Sequence, residues 1–436
     1  MNDKLIYRLS GVITLTLLLA VSTSTRAYSF IESARALPTR TIDTTARQMQ
    51  KATVAPDAPP NVTYALITSR LQNAPAIQTN TLVSVTATTA QTFSFQNAGQ
   101  TVTAPLSDAR LFTVKTGIIQ PVNKINGEIV LGFDDPYALT DTGSAGYPIS
   151  VYAPMVYNVT SQNGTVSDQL SAQAVQIAHA HGEQVWPIVD SGFNPARTTA
   201  LLESPTAQAN FLSTILADVA RDHVDGINLD FEDMIPSDSP RLTQLTKNLA
   251  TLLHAMGKTI SVDVSVPSSD PNWGLVYNRP ALAAIADNLV VMTYDQYYAG
   301  DPFSGPVAGI PWMMQELQKT AQGGVPKAKI LAGIPFYTRL WSGSPGNFSS
   351  TALSLSQEAS IKNSHPASLR NDPTSGLTVD TFHVGAQTQW MWLETTSSLR
   401  ERAAMTTAAG YGGVAIWQLG LGNASDVSAI LSGVGG

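Results

Sequence analysis

The chain has 436 residues, 43% of them hydrophobic and only 13% charged, which supports a large core and at most two domains. It contains no cysteine, so disulfides, thiolate metal sites, iron–sulfur clusters and cysteine nucleophiles are excluded. The formal charge is -7 and no Lys/Arg cluster stands beyond the first residues, which argues against nucleic acid as a partner.

Lys4 and Arg8 precede an apolar run from Gly11 to Val21, and small polar residues follow to Ala27. This is the layout of a secretory signal, with an apolar stretch too short to span a membrane. Residues 1–27 are therefore expected to be a signal peptide and the mature chain to be secreted and free of the membrane. Residues 28–61 are rich in Thr, Ala and Pro, as in Ala55-Pro-Asp-Ala-Pro-Pro60, and read as a linker.

Between residues 62 and 125 the pattern changes to period two, in Thr81-Leu-Val-Ser-Val-Thr-Ala-Thr, Gln91-Thr-Phe-Ser-Phe and Thr101-Val-Thr-Ala, with a turn at Gln96-Asn-Ala-Gly99. Alternation of this kind predicts a small antiparallel β module, whose role the sequence leaves unread. From residue 126 to 436 short apolar runs alternate with helix-like segments. Eight strands are predicted: Glu128 to Phe133, Ile149 to Tyr157, Gln184 to Asp190, Gly226 to Glu232, Thr259 to Pro267, Asn288 to Tyr294, Lys329 to Tyr337 and Gly413 to Leu419. Eight parallel strands are what a closed (β/α)8 TIM barrel requires, so the fold class is α/β, preceded by the small all-β module.

Helix signals support the alternation. Ser204-Pro205 and Ser239-Pro240 each pair a capping serine with a proline suited to the first helical turn. Leu242, Leu245, Leu249, Leu252, Leu253 and Met256 then recur at three and four before Gly257. The polar stretch from about 342 to 390 is too long for an ordinary βα loop and predicts an insertion after strand 7, at the mouth of the barrel.

On the fourth strand, Asn228, Asp230 and Glu232 alternate with Ile227, Leu229 and Phe231, so three polar side chains share the inward face. Such a column is costly in a close-packed barrel unless it lies at the C-terminal rim and does chemistry. Adjacent carboxyls cannot all ionise freely, and Glu232, nearest the mouth, is the natural proton donor. Spacing alone leaves a structural acid pair or a divalent-cation site open. His179 and His181, near the end of a helix, read as surface residues.

Asp225-Gly-Ile-Asn-Leu-Asp-Phe-Glu232 resembles the DGxxxDxE signature of glycoside hydrolase family 18, the chitinase-like family. Met292-Thr-Tyr-Asp295, Gly333-Ile-Pro-Phe-Tyr-Thr-Arg339 and Gly413-Val-Ala-Ile-Trp-Gln-Leu419 resemble that family's other strand signatures, in the same order. The resemblance covers roughly Gly127 to Gly436. Asn228, with Pro306-Val-Ala-Gly-Ile-Pro-Trp312 and Trp390-Met-Trp-Leu-Glu394, is similar to the bacterial spore-type branch, N-acetylglucosaminidases of peptidoglycan in the cell wall or spore cortex. Chitinases usually carry Asp where this chain has Asn228, which shifts the expected substrate from chitin toward peptidoglycan. Wall-binding LysM repeats, which many spore-type relatives carry, are not recognisable here.

The resemblance implies a secreted retaining hydrolase, wall- or spore-associated, without metal or cofactor. The substrate's own acetamido oxygen would attack the anomeric carbon. Glu232 would be the general acid and base, Asp230 and Tyr294 would hold the acetamido group, and Asn228 would support Asp230. Trp417 would floor the sugar, with Asp295 and Arg339 binding neighbouring sugars. Asp225 is read as structural. Trp273, Trp312, Trp341, Trp390 and Trp392 are further stacking candidates. A chitinase or endo-N-acetylglucosaminidase acting on other glycans, and a non-catalytic sugar-binding lectin, stay open as alternatives. The implied partner is a polysaccharide containing N-acetylglucosamine, bound by a monomer.

Overall fold

The computed structural model describes residues 61–116, 124–135, 147–344, 346–366 and 368–435. The predicted signal peptide and nearly all of the predicted linker lie outside these residues. The first sheet runs from β1 (Asn61–Ile67) through β2 (Leu82–Thr88), β3 (Thr92–Asn97) and β4 (Gln100–Pro105) to β5 (Ala109–Lys115), in the order β4-β3-β2-β1-β5. Its pairings are antiparallel. Ala98 and Gly99, at φ 49 and 80, make the two-residue β3–β4 turn, whose left-handed positions match the twist of the flanking strands.

One face of this sheet buries Phe93, Phe95, Ala104 and Leu71 in a core of its own. The other face sends Leu66, Phe112 and Val114 into the main core. Asn80 joins the two bodies, donating to the Glu203 carbonyl at 3.3 Å and accepting from the Asn248 amide at 2.8 Å.

The parallel strands begin with β6 (Ile129–Asp134) and β7 (Val151–Val159), to which β8 (Val166–Asp168) pairs antiparallel. β9 (Gln184–Val185) and β10 (Ile188–Asp190) form the third barrel strand in two pieces against β7. β11 (Gly226–Asp230), β12 (Thr259–Ser265), β13 (Asn288–Met292) and β14 (Ile330–Pro335) follow side by side. The chain then leaves the barrel for an antiparallel sheet of β15 (Tyr337–Ser344), β16 (Asn347–Ser354), β17 (Leu369–Asp372), β18 (Leu377–Val384) and β19 (Gln387–Leu393). β20 (Gly413–Trp417) returns between β14 and β6 and closes the ring of eight.

Alternate strand residues point to opposite faces, so the barrel has two apolar compartments. Leu131, Phe133, Ala153, Ile188, Val290, Leu331 and Ala415 fill the interior. Ile227, Leu229, Phe231, Ile260 and Val262 meet the surrounding helices. Those helices are α1 (Ala172–Ala180), α2 (Pro195–Glu203), α3 (Pro205–Asp222), α4 (Ser239–Ala255), α5 (Arg279–Ile285), α6 (Ile310–Gln322), α7 (Leu355–Asn363) of the insertion, α8 (Thr396–Ala408) and α9 (Ala424–Val434). The Ser204 hydroxyl accepts from the Ala207 amide at the start of α3, as its sequence predicts. α4 starts at Ser239 itself, preceded by Asp238, so that serine is helical and is not the cap. Among the described residues no helix is long and apolar enough to cross a membrane.

The insertion is wider than the expected 342–390. Tyr337 was expected to end the seventh strand, but that strand stops at Pro335 and Tyr337 opens the hairpin, pairing with Ser354. Glu358 on α7 accepts from the Glu394 amide at 2.9 Å, and Arg402 on α8 pairs with the Glu394 carboxylate. Insertion and barrel are thereby joined through buried polar groups.

Candidate active site

The β11 segment is built by a glycine at its start and a lost ladder at its end. A Cβ on Gly226 would stand 2.8 Å from both the Thr259 carbonyl and the Trp186 ring, so only glycine lets β11 lie this close. Asn228 and Asp230 point inward, as predicted. The strand ends at Asp230, not at the expected Glu232, because its register with β12 runs only to Leu229 opposite Val262. The Phe231 carbonyl accepts instead from the Tyr277 hydroxyl at 2.8 Å. Glu232 therefore stands just beyond the sheet, in the mouth, and is 8% exposed.

Asp225 is fully buried and accepts from the Val185 amide at 3.0 Å and contacts His179 Nε2 at 2.8 Å. It is tied into the framework, as read from the sequence. His179 corrects its surface reading: it is largely covered, because its ring reaches across to this buried carboxylate. His181 is exposed, with Nδ1 against the Ile177 carbonyl.

The cleft at this end of the barrel is lined by Asp230, Glu232, Asp263, Tyr294, Asp295 and Trp417. Four carboxyls meet five aromatic rings there, those of Phe193, Trp273, Tyr294, Tyr337 and Trp417. Tyr294 follows β13, and its ring lies 6.4 Å from the Trp417 ring with planes 27° apart. Phe133 meets the Trp417 ring edge-on at 5.4 Å. Tyr337 packs 6.3 Å from Tyr294 and donates its hydroxyl to Asp295 Oδ1 at 2.8 Å. Asp295 takes φ 57, a left-handed conformation that aspartate tolerates better than most residues. A Cβ on Gly333 of β14 would come within 2.8 Å of the Tyr294 ring, so this glycine makes room for the tyrosine.

Burial raises the Tyr294 hydroxyl well above its ordinary pKa, and the carboxyls of Asp263, Glu232, Asp230 and Asp295 push the same way. It stays protonated and can donate a hydrogen bond. The Tyr337 hydroxyl is raised likewise, first by burial and then by Asp295.

Other predicted residues lie elsewhere. Asn228 is buried below the cleft, its amide donating to Ser261 Oγ at 2.9 Å and to Asp263 Oδ1 at 2.7 Å. Arg339 sits on β15, outside the residues that line the cleft, and donates through Nε to Ser350 Oγ at 2.7 Å. Burial lowers its guanidinium to about 10. Of the further tryptophans, Trp273 lines the cleft, 6.1 Å from Phe193. Trp341 is buried, donating to the Gly305 carbonyl, and Trp312 packs against the main core. Trp390 meets Phe348 edge-on, and Trp392 donates to Asp372.

Asp263, Phe193 and Tyr337 were not anticipated in the cleft. For Asp263 the signal was present: Ser261, Asp263 and Ser265 alternate with Ile260, Val262 and Val264, the same polar column as on β11. Among the described residues, Asp168, Asp218 and Asp222 are the grouping with carboxylate oxygens within 4.8 Å of one another, and Arg221 already bonds all three.

Known proteins give the comparison for this geometry. The model of glycosyl hydrolases family 18 matches residues 153–422. YdhD of Bacillus subtilis, described as a sporulation-specific glycosylase, is 24% identical over 290 residues, covering 63% of this chain and 68% of that protein. The cortical fragment-lytic enzyme of Bacillus anthracis is 23% identical over 296 residues, covering 65% and 68%. A chitinase structure from Chromobacterium violaceum shares the fold at TM-score 0.64 and 24% identity, over 71% of this chain and all 100% of that one. The protein is a glycoside hydrolase and belongs to glycosyl hydrolases family 18.

Proposed function

We propose that this glycoside hydrolase cleaves the β-1,4 bond after N-acetylglucosamine in peptidoglycan of the cell wall or spore cortex, with retention of configuration. The observation that carries the reading is the convergence of Asp230, Glu232, Tyr294 and Trp417 on one cleft. Glu232 gives its proton to the glycosidic oxygen as the bond to the anomeric carbon breaks. The acetamido oxygen of the same sugar closes on that carbon, forming an oxazolinium and leaving no need for an enzyme nucleophile. Asp230 orients the acetamido group and balances its positive charge, while the Tyr294 hydroxyl donates to it from the other side. Glu232, now a carboxylate, takes a proton from water as the ring opens.

The names of the relatives in Bacillus, a sporulation-specific glycosylase and a cortical fragment-lytic enzyme, support the peptidoglycan substrate. The signal-like residues 1–27 support export, to the medium, the wall or the spore. Mass spectrometry of digested peptidoglycan tests the proposal. Products ending in reducing N-acetylglucosamine are expected; products ending in reducing muramic acid, or an intact polymer, would refute it.

One observation favours chitin as a second reading. Among the described residues lining the cleft there is no Lys, Arg or His to meet a muramyl carboxylate. Relative kcat/KM on chitin oligomers and on muramyl-containing fragments separates the two.

A further inference from the structure

The parallel register of β11 and β12 sets Asn228 opposite Ser261 and Leu229 opposite Val262. Ser261, Asp263 and Ser265 therefore share the inward face of β12, beside Asn228 and Asp230 on β11. Asp263 is 3% exposed and lines the cleft with Asp230, Glu232 and Tyr294. The Asn228 amide spends its donors on Ser261 Oγ and Asp263 Oδ1. A carboxylate at 228 could not donate to Asp263 and would place two negative charges at the same 2.7 Å separation. The neutral amide on β11 and the charge on β12 thus form a matched pair.

We propose that Asp263 is a positioning residue for the hydrolysis, carrying on β12 a carboxylate beside Asp230 and the proton donor Glu232. Through Asn228 it sets the floor of the acid column. Burial first, and then the Asp263 carboxyl, raise the Tyr294 hydroxyl, which stays in the donating form. It does not itself touch a reacting atom. Around it stand Asn228, Asp230 and Glu232 on the β11 side and Tyr294 on the β13 side. The Tyr277 hydroxyl, engaged with the Phe231 carbonyl, and Arg279, engaged with the Ser265 carbonyl at 3.0 Å, complete the polar surroundings.

This rests on the proposed roles of Glu232, Asp230 and Tyr294, and the test separates the two. The full chain and its Asp263→Asn, Asn228→Asp and Asn228→Asp/Asp263→Asn variants are assayed on purified peptidoglycan fragments or on a tetramer of N-acetylglucosamine, whichever turns over faster. Asp263→Asn is expected to lower kcat by about tenfold or more, with KM within about threefold. Removing one carboxylate from the cleft should also move the pH profile of kcat, a readout that a purely structural role would leave in place. Asn228→Asp alone loses activity by setting two carboxylates together.

The double variant exchanges donor and acceptor, keeps the hydrogen bond and should recover kcat and the pH profile to within about threefold of the parent. Circular dichroism and the thermal midpoint of each variant separate loss of activity from misfolding. An unchanged kcat and pH profile in Asp263→Asn, or a double variant no better than the worse single one, would overturn the proposal. If Glu232→Gln keeps activity, the underlying assignment of the acid fails instead.

Discussion

Tyr294 and Trp417 lie with ring centroids 6.4 Å apart and planes 27° from parallel, one after β13 and the other at the end of β20. They bring an apolar surface and a protonated hydroxyl to the cleft that the four carboxyls line. An uncharged sugar face can rest on such a surface while its acetamido group reaches the hydroxyl.

Trp417→Ala removes the proposed floor. It is expected to lower kcat/KM by about 100-fold, while Trp417→Phe keeps part of the surface and loses about tenfold. Steady-state kinetics on a fluorogenic N-acetylglucosamine oligomer checks both. Equal activity in the alanine variant would assign Trp417 to packing.

Gly333→Ala acts on Tyr294 without touching its chemistry. The added Cβ would stand 2.8 Å from the tyrosine ring and from the Val291 carbonyl. Displacing the hydroxyl by a fraction of an ångström should lower kcat by about tenfold, since misplacement of about 1 Å can cost about 100-fold. The same kinetics, with circular dichroism to confirm folding, tests this.

The barrel was legible because its strands are buried on both faces and read as short apolar runs, each found within a few residues of its predicted place. The column on β11 was legible because polar residues interrupt that pattern with period two. Its end was not, because whether Phe231 stays in the ladder depends on the length of β12 and on Tyr277, 46 residues away. His179 looked like a surface residue because its partner, Asp225, is equally distant in sequence. Arg339 looked like a cleft residue because it follows the seventh strand. The hairpin with β16 turns it to Ser350, and no local pattern announces that pairing.

Asp225 should matter for stability more than for chemistry. Its fully buried carboxylate accepts from the Val185 amide and His179. Asp225→Ala leaves that amide without its acceptor and is expected to cost about 2–3 kcal/mol. Urea unfolding measures the loss, and kcat of the remaining folded protein should stay near that of the parent.

Stability should also fall as the pH rises from weak acid through neutrality. Burial pushes the Glu358 carboxyl from its ordinary 4.5 up to about 8, and the neighbouring Glu394 and Asp426 push it further, against Lys362 and the Glu394 amide. The folded state thus holds a proton that the unfolded chain releases. This contribution is complete below the unfolded value and is lost as pH rises through about 8. The thermal midpoint should therefore drop between about pH 5 and about pH 8, and Glu358→Gln should flatten that drop. Differential scanning calorimetry across this range reads the effect; parallel curves for parent and variant would show that Glu358 contributes none of it.

The most direct measurement is release of reducing ends from purified peptidoglycan by the parent and by Glu232→Gln. Glutamine matches the carboxyl in size but has no acidic proton to give the leaving oxygen. Activity should fall by about 1,000-fold or more with folding unchanged, since both protonation and water activation pass through this side chain. A Glu232→Gln variant that still releases reducing ends at the parental rate would contradict the assignment of Glu232 as the acid.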